Sequence, residues 1–165
     1  MSDNGKTAVL FVCLGNICRS PLAEGVFRHL VRTRELSHAY EIDSAGTGGW
    51  HVGDPPDARA AAVARRRGVE LECAARQVSP GDFGRFDWIV AMDKENLRAL
   101  EALRGRHGGD AELRLLRDFD PEPGDGEVPD PYYGGPEGFD RVYEMVVRSA
   151  EAFLEHLESE RSGGR

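Results

Sequence analysis

Cys13 and Arg19 are separated by five residues in the run Cys13-Leu14-Gly15-Asn16-Ile17-Cys18-Arg19-Ser20. A thiolate and a guanidinium at that spacing suit nucleophilic attack on a bound oxyanion such as a phosphoryl group. Arg19 offers a planar fork that grips two oxygens at once. A free thiol is mostly protonated at neutral pH, and a cationic, amide-rich loop is the setting that turns it into a thiolate. Gly15 permits a left-handed turn, and Asn16 tolerates one while its side-chain amide braces the loop. Ser20 is placed to donate its hydroxyl to the Cys13 sulfur, first as nucleophile and later as leaving group. Cys18 is close enough in sequence to trap an oxidised Cys13 as a disulfide, or it is an inert packed thiol.

A C-x5-R spacing alone means little, so the flanking elements decide its weight. Ala8 to Val12 is a continuous apolar run, suited to a central strand covered on both faces. Ser20-Pro21 reads as a helix start, with proline at the first helical position, and Leu22, Val26 and Leu30 follow at helical spacing. A loop between such a strand and helix can turn its amides onto an anion, and the helix N-terminus adds partial positive charge. In open parallel sheets, sites form just there, beyond the carboxyl ends of the strands.

The alternation of strands and helices continues. Tyr40 to Ser44 and Phe86 to Met92 read as strands, and Glu112 to Leu116 as a short one. Pro56 to Arg67 reads as a helix closed by Gly68. A further helix carries Leu97, Leu100 and Leu103 on one face. Phe139, Val142, Val146, Ala150, Phe153 and Leu157 mark a long amphipathic C-terminal helix. This pattern predicts an α/β fold in three layers, a parallel sheet with helices on both faces. Arg117 to Gly135 is rich in Pro, Gly and acid and too long for a simple connection, which marks it as a functional loop.

The 165 residues make one domain, expected over 1–157, with 158–165 as a flexible C-terminal tail. A net charge of −8 argues against a nucleic-acid-binding surface, which needs a basic field. No apolar run approaches the roughly 20 residues that span a bilayer. The polar Met1–Thr7 segment is no signal peptide. Three cysteines without framework spacing fit a reducing cytoplasm. The expected protein is cytoplasmic, with no nucleic-acid or membrane partner.

The run VCLGNICRSPLAE resembles the signature loop of the low-molecular-weight protein tyrosine phosphatases. Their second signature, Asp-Pro followed by aromatics, is matched by Asp130-Pro131-Tyr132-Tyr133. The segments DSAGTGGWHVGDPPD and ARQVSPGDFGRFDWIVAMDKENL are similar to that family too, so the likeness covers nearly the whole chain in order. The resemblance implies a four-stranded parallel sheet and no metal or other cofactor. It implies Cys13 as nucleophile, Arg19 as phosphate clamp and Asp130 as general acid and then general base. Leu14, Gly15, Asn16, Ile17, Cys18 and Ser20 would line the phosphate, Trp50, Tyr132 and Tyr133 the aromatic ring of the substrate, and Ser44 would brace the loop. The expected substrate is a phosphotyrosine protein or small aryl phosphate. The six carboxylates from Asp118 to Asp130, if close together, would help hold a proton on Asp130. One departure concerns Cys73, which stands where many members carry a histidine that supports the loop asparagine.

Other motifs fail on spacing. Gly5-Lys6-Thr7 lacks the earlier glycine of a nucleotide loop. Asp118, Asp120 and Glu122 recur as in a calcium loop, but prolines take the glycine and final glutamate positions. Three alternatives share the scaffold. An arsenate reductase needs further relay cysteines, whereas Cys73 stands alone in sequence. A protein arginine phosphatase tends to carry threonine where this chain has Ile17. An inactive phosphate-binding module has no use for Asp130.

Overall fold

The computed structural model describes residues 5–132 and 134–163. Four strands, β1 (Thr7–Cys13), β2 (Tyr40–Gly46), β3 (Trp88–Ala91) and β4 (Glu112–Leu115), form one parallel sheet in the order β2-β1-β3-β4. Five helices complete it: α1 (Arg19–Thr33), α2 (Ala58–Arg66), α3 (Asp82–Arg85), α4 (Lys94–His107) and α5 (Pro136–Gly163). The chain leaves β1 toward β2 on one side and returns to β3 on the other. The carboxyl end of β1 is therefore the switch point where open α/β sheets form a crevice.

Residue alternation along β1 divides the core into two layers. Val9, Phe11 and Cys13 face the layer made with α1, α2 and α5, together with Leu22, Phe27, Val146 and Phe153. Ala8, Leu10 and Val12 face the layer that holds Phe83, Ile89 and Leu100. Both faces being covered, β1 reads as an unbroken apolar run. Phe27 and Phe153 lie with ring centroids 5.5 Å apart, and Phe11 packs against both. Truncating one such buried ring to alanine costs about 3–5 kcal/mol. Phe139, Val142, Val146, Ala150, Phe153 and Leu157 are all buried, so the stripe read from sequence is the face that α5 lays on the sheet.

The boundaries shift by a few residues, with one consequence near the site. Helix α1 begins at Arg19 behind Cys18, so Pro21 occupies its third position, not its first. Proline is still tolerated there, because the first turn's amides have no intrahelical acceptor. At the other end, α5 runs on to Gly163 where a flexible tail was expected from 158. The Tyr40 hydroxyl donates to Glu158 and Arg161 pairs with the same carboxylate, which ties this last stretch to the β2 edge. Among the described residues, no helix is long and apolar enough to cross a membrane.

Candidate active site

Cys13 ends β1 and is almost wholly buried. The next five residues curl back on themselves before α1 begins. Their outward carbonyls are tied to neighbouring segments. The Thr47 amide donates to Cys13 O at 2.9 Å, the Gly48 amide to Leu14 O at 2.9 Å and the Asp57 amide to Ile17 O at 2.8 Å. Among the loop amides, that of Asn16 points at Cys13 Sγ at 3.3 Å. Asn16 has φ +57°, the left-handed conformation that asparagine tolerates better than most residues. Gly46 is required by close approach, since a Cβ there would fall 2.7 Å from Leu14 O.

Behind the loop, the Asn16 side chain is gripped at both ends. Its Nδ2 donates to Ser20 Oγ at 2.8 Å and Ser44 Oγ at 3.0 Å, and its Oδ1 accepts from the Arg76 amide at 3.0 Å. Ser44 in turn donates to the buried Glu24 carboxylate at 2.5 Å. Ser20 Oγ accepts from Asn16 and lies 3.0 Å from Cys13 Sγ and 3.4 Å from Ala45 O, the two groups within reach of its own proton. Donation spreads outward from the Asn16 amide, through Ser44 to a carboxylate that can only accept and to the Ser20 hydroxyl beside the Cys13 sulfur. Cys73 borders the same network. Burial, followed by the Glu24 charge, pushes its thiol up to about 12. The asparagine thus has its support from Ser44, Ser20 and the Arg76 amide in a chain that lacks the histidine.

Arg19, also buried, is aimed by two fixed acceptors. Its Nη1 donates to Asp93 at 2.6 Å and to Val128 O at 3.1 Å. Its Nη2 lies 3.6 Å from Asp130. Burial alone would lower its pKa, but Cys13, Asp93 and Asp130 outweigh that and hold it above the ordinary arginine value. Cys18 is raised as well: burial first, and then Asp57, Cys13 and Asp130, push its thiol up to about 12.

A cavity of about 340 Å³ opens over this loop, lined by Cys13, Leu14, Gly15, Ile17, Cys18, Arg19, Trp50, His51, Asp130 and Tyr132. Trp50 is not core, being 73% exposed. Its indole lies flat on the backbone at Gly48, where a Cβ would fall 1.9 Å from the ring. The Arg59 guanidinium stands over the rings of Tyr132, at 5.2 Å, and Phe139, at 4.7 Å. The Tyr132 amide donates to Asp130 Oδ1 at 3.0 Å, which fixes that carboxylate at the cavity edge.

Most residues singled out by sequence thus meet at one place. The side chains of Asn16, Ser20 and Ser44 lie behind the loop as braces, and Tyr133 is outside the described residues. The acidic loop is not gathered around Asp130. Asp118 holds Arg114, Asp120 holds Arg117, Arg148 and Ser149, and Glu127 accepts from the Lys94 amide. Asp93, Glu24, His51 and the Val128 carbonyl were not legible as site residues. Asp93 is the N-cap of α4, and its link to Arg19 spans 74 residues. Among the described residues, no group of three or more His, Cys, Asp or Glu is arranged to hold a metal ion.

Residues 8–163 match the family model of low molecular weight phosphotyrosine protein phosphatases. The chain belongs to that family. A low molecular weight protein-tyrosine-phosphatase of Streptomyces coelicolor is 50% identical over 148 residues, covering 88% of this chain and 90% of the relative. Among solved structures, a protein tyrosine phosphatase from Entamoeba histolytica with Hepes in its active site superposes with a TM-score of 0.88 at 38% identity, covering 94% of this chain and 99% of that one. A Drosophila arginine phosphatase superposes at 0.86, also at 38% identity, covering 90% and 96%. The family's fold, a four-stranded parallel sheet between helices, is the one found here.

Proposed function

We propose that this family member hydrolyses phosphotyrosine without a metal, through a cysteinyl-phosphate intermediate on Cys13, in the cytoplasm. The observation that carries the reading is the convergence of Cys13, Arg19 and Asp130 on one cavity with aromatic walls. The loop amides and the Arg19 fork bind the three non-bridging phosphoryl oxygens, supplying the positive charge that a metal would otherwise bring. The Cys13 thiolate attacks phosphorus, the S–P bond forms, and the P–O bond to the phenol breaks. Asp130 gives its proton to the departing phenolate oxygen. Asp130 then accepts a proton from water as that water attacks phosphorus and the S–P bond breaks, the electron pair returning to the Cys13 sulfur. Inorganic phosphate leaves, and the returning sulfur is received by the Ser20 hydroxyl at 3.0 Å.

A second reading, hydrolysis of phosphoarginine, draws on the likeness to the Drosophila arginine phosphatase. Ile17 at the cavity base and the aromatic faces of Trp50 and Tyr132 favour a flat apolar ring over a charged guanidinium. The decisive assay compares phosphotyrosine, phosphoserine and phosphoarginine peptides and arsenate, before and after EDTA dialysis, with Cys13→Ser as control. Phosphotyrosine should give the highest kcat/KM, EDTA should change nothing, and Cys13→Ser should bind phosphate without turnover. A preference for phosphoarginine or arsenate would sink the assignment.

A further inference from the structure

The exposed large hydrophobic side chains among the described residues are Leu14, Trp50, Val52 and Tyr132, at 44%, 73%, 59% and 37% exposure. Three of them line the active cavity, and Val52 lies two positions beyond Trp50 in the same turn. In a chain of net charge −8, exposed apolar side chains confined to one locality mark a binding surface. The turn that carries Trp50 and Val52 is pinned, not loose. Its ends are held by Gly48 N to Leu14 O at 2.9 Å, Gly53 N to Ala75 O at 2.8 Å and Ala75 N to Asp54 O at 2.8 Å. A pinned turn presents its apolar groups without an ordering cost at the moment of binding.

The polar groups beside this rim have partners within the protein. His51 hydrogen-bonds with Asp54 at 3.1 Å, and Arg59 pairs with Asp57 at 3.0 Å. A polar neighbour on a substrate therefore meets groups that already have partners, whereas an apolar neighbour meets the exposed side chains of Trp50, which lines the cavity, and Val52, two residues on in the same turn.

We propose that the rim formed by Trp50 and Val52 selects phosphotyrosine segments carrying a bulky apolar side chain next to the phosphotyrosine. This rests on the phosphotyrosine reading above. Val52 acts in it as a specificity residue outside the reacting centre.

The test uses two phosphotyrosine peptides that differ only in the residue after the phosphotyrosine, leucine or serine, with p-nitrophenyl phosphate as a substrate that has no flanks. Wild type should favour the leucine peptide about tenfold in kcat/KM, the scale of a partly buried leucine side chain. Val52→Asp should bring the two peptides within about twofold while p-nitrophenyl phosphate hydrolysis stays unchanged. If Val52→Asp loses that basal activity, Val52→Ser takes its place with the same expectation. Equal turnover of both peptides by wild type, or discrimination surviving at Val52→Asp and Val52→Ser, overturns the inference alone. Hydrolysis of p-nitrophenyl phosphate with neither peptide turned over overturns it together with the phosphotyrosine reading. Sedimentation supplies the remaining check. A wild-type dimer that Val52→Asp disperses assigns the surface to a second copy of this chain and overturns substrate selection.

Discussion

The Asp93 carboxylate does two jobs with its two oxygens: Oδ1 accepts the Asn96 amide at 2.7 Å to cap α4, and Oδ2 accepts Arg19 at 2.6 Å. Helix start and oxyanion clamp are thus built on one side chain. Asp93→Ala should lose the cap, worth about 1 kcal/mol of stability. It should also lower kcat/KM by roughly 10–100-fold, because a charge-assisted hydrogen bond that aims Arg19 is worth about 1.5–3 kcal/mol. Asp93→Asn separates the two effects, since asparagine caps as well as aspartate. It should restore the share of the urea midpoint that belongs to the cap while leaving the kinetic loss in place. Full recovery of kcat/KM in Asp93→Asn would mean that the charge on Asp93 does not position Arg19.

Asp130→Asn should cost most with poor leaving groups. Removing a general acid lowers the rate about 10²–10⁴-fold, and an acidic phenol hardly needs the proton. Leaving-group release measured in single turnover across a series of aryl phosphates should show a loss that grows with the basicity of the phenol. A loss by one common factor would remove Asp130 from the role of acid. Neighbouring carboxylates offer no ready substitute, since Asp120 is buried against Arg117, Arg148 and Ser149 and Asp118 holds Arg114.

Mild peroxide should inactivate the enzyme reversibly, with Cys18 resolving the oxidised Cys13 as a disulfide. The Cys18 thiol, pushed up to about 12 by burial first and then by nearby negative charge, remains protonated at neutral pH. The attacking species is the thiolate, so the resolving step should be slow at pH 7 and quicken as pH rises. In Cys18→Ser, recovery with thiol should fall and over-oxidation of Cys13 should appear by mass spectrometry. Equal recovery in wild type and Cys18→Ser would leave Cys18 a packing residue.

The loop that delivers Asp130 is anchored by Asp120, whose side chain is fully buried. Burial alone would raise its pKa, but hydrogen bonds from Arg148, the Glu122 amide and Ser149 outweigh that and hold it below the ordinary 3.8. A carboxylate depressed on folding adds stability above its unfolded value and loses it as pH falls through the folded one. Asp120→Ala also strands the buried Arg117, which should cost about 3–5 kcal/mol at pH 7. Urea unfolding should show that gap unchanged from pH 7 to about pH 5 and shrinking below about pH 4. A gap independent of pH down to about pH 2 would show that the charge on Asp120 is not what holds the loop.

The sequence by itself determined the frame and the reacting groups. The unbroken apolar run of β1, the stripe on α5 and the Cys13–Arg19 loop between strand and helix are local patterns, and each depends on residues a few positions apart. The family likeness extended them to Asp130 and Trp50, which lie far from the loop in sequence and share its cavity. Tertiary structure alone decided what aims and braces those groups. Asp93 reaches Arg19 across 74 residues, and the Arg76 amide reaches Asn16 across 60. Neither link has a periodic or local signature, because each comes from strands β1 and β3 lying side by side and from the segment after α2 passing the end of β2. Exposure too was a three-dimensional outcome. Trp50, as fit for a core as for a rim by composition, was placed outside by the turn that lays its indole on Gly48. The acidic loop dispersed for the same reason, since each carboxylate found an arginine or an amide that only the folded chain brings within reach.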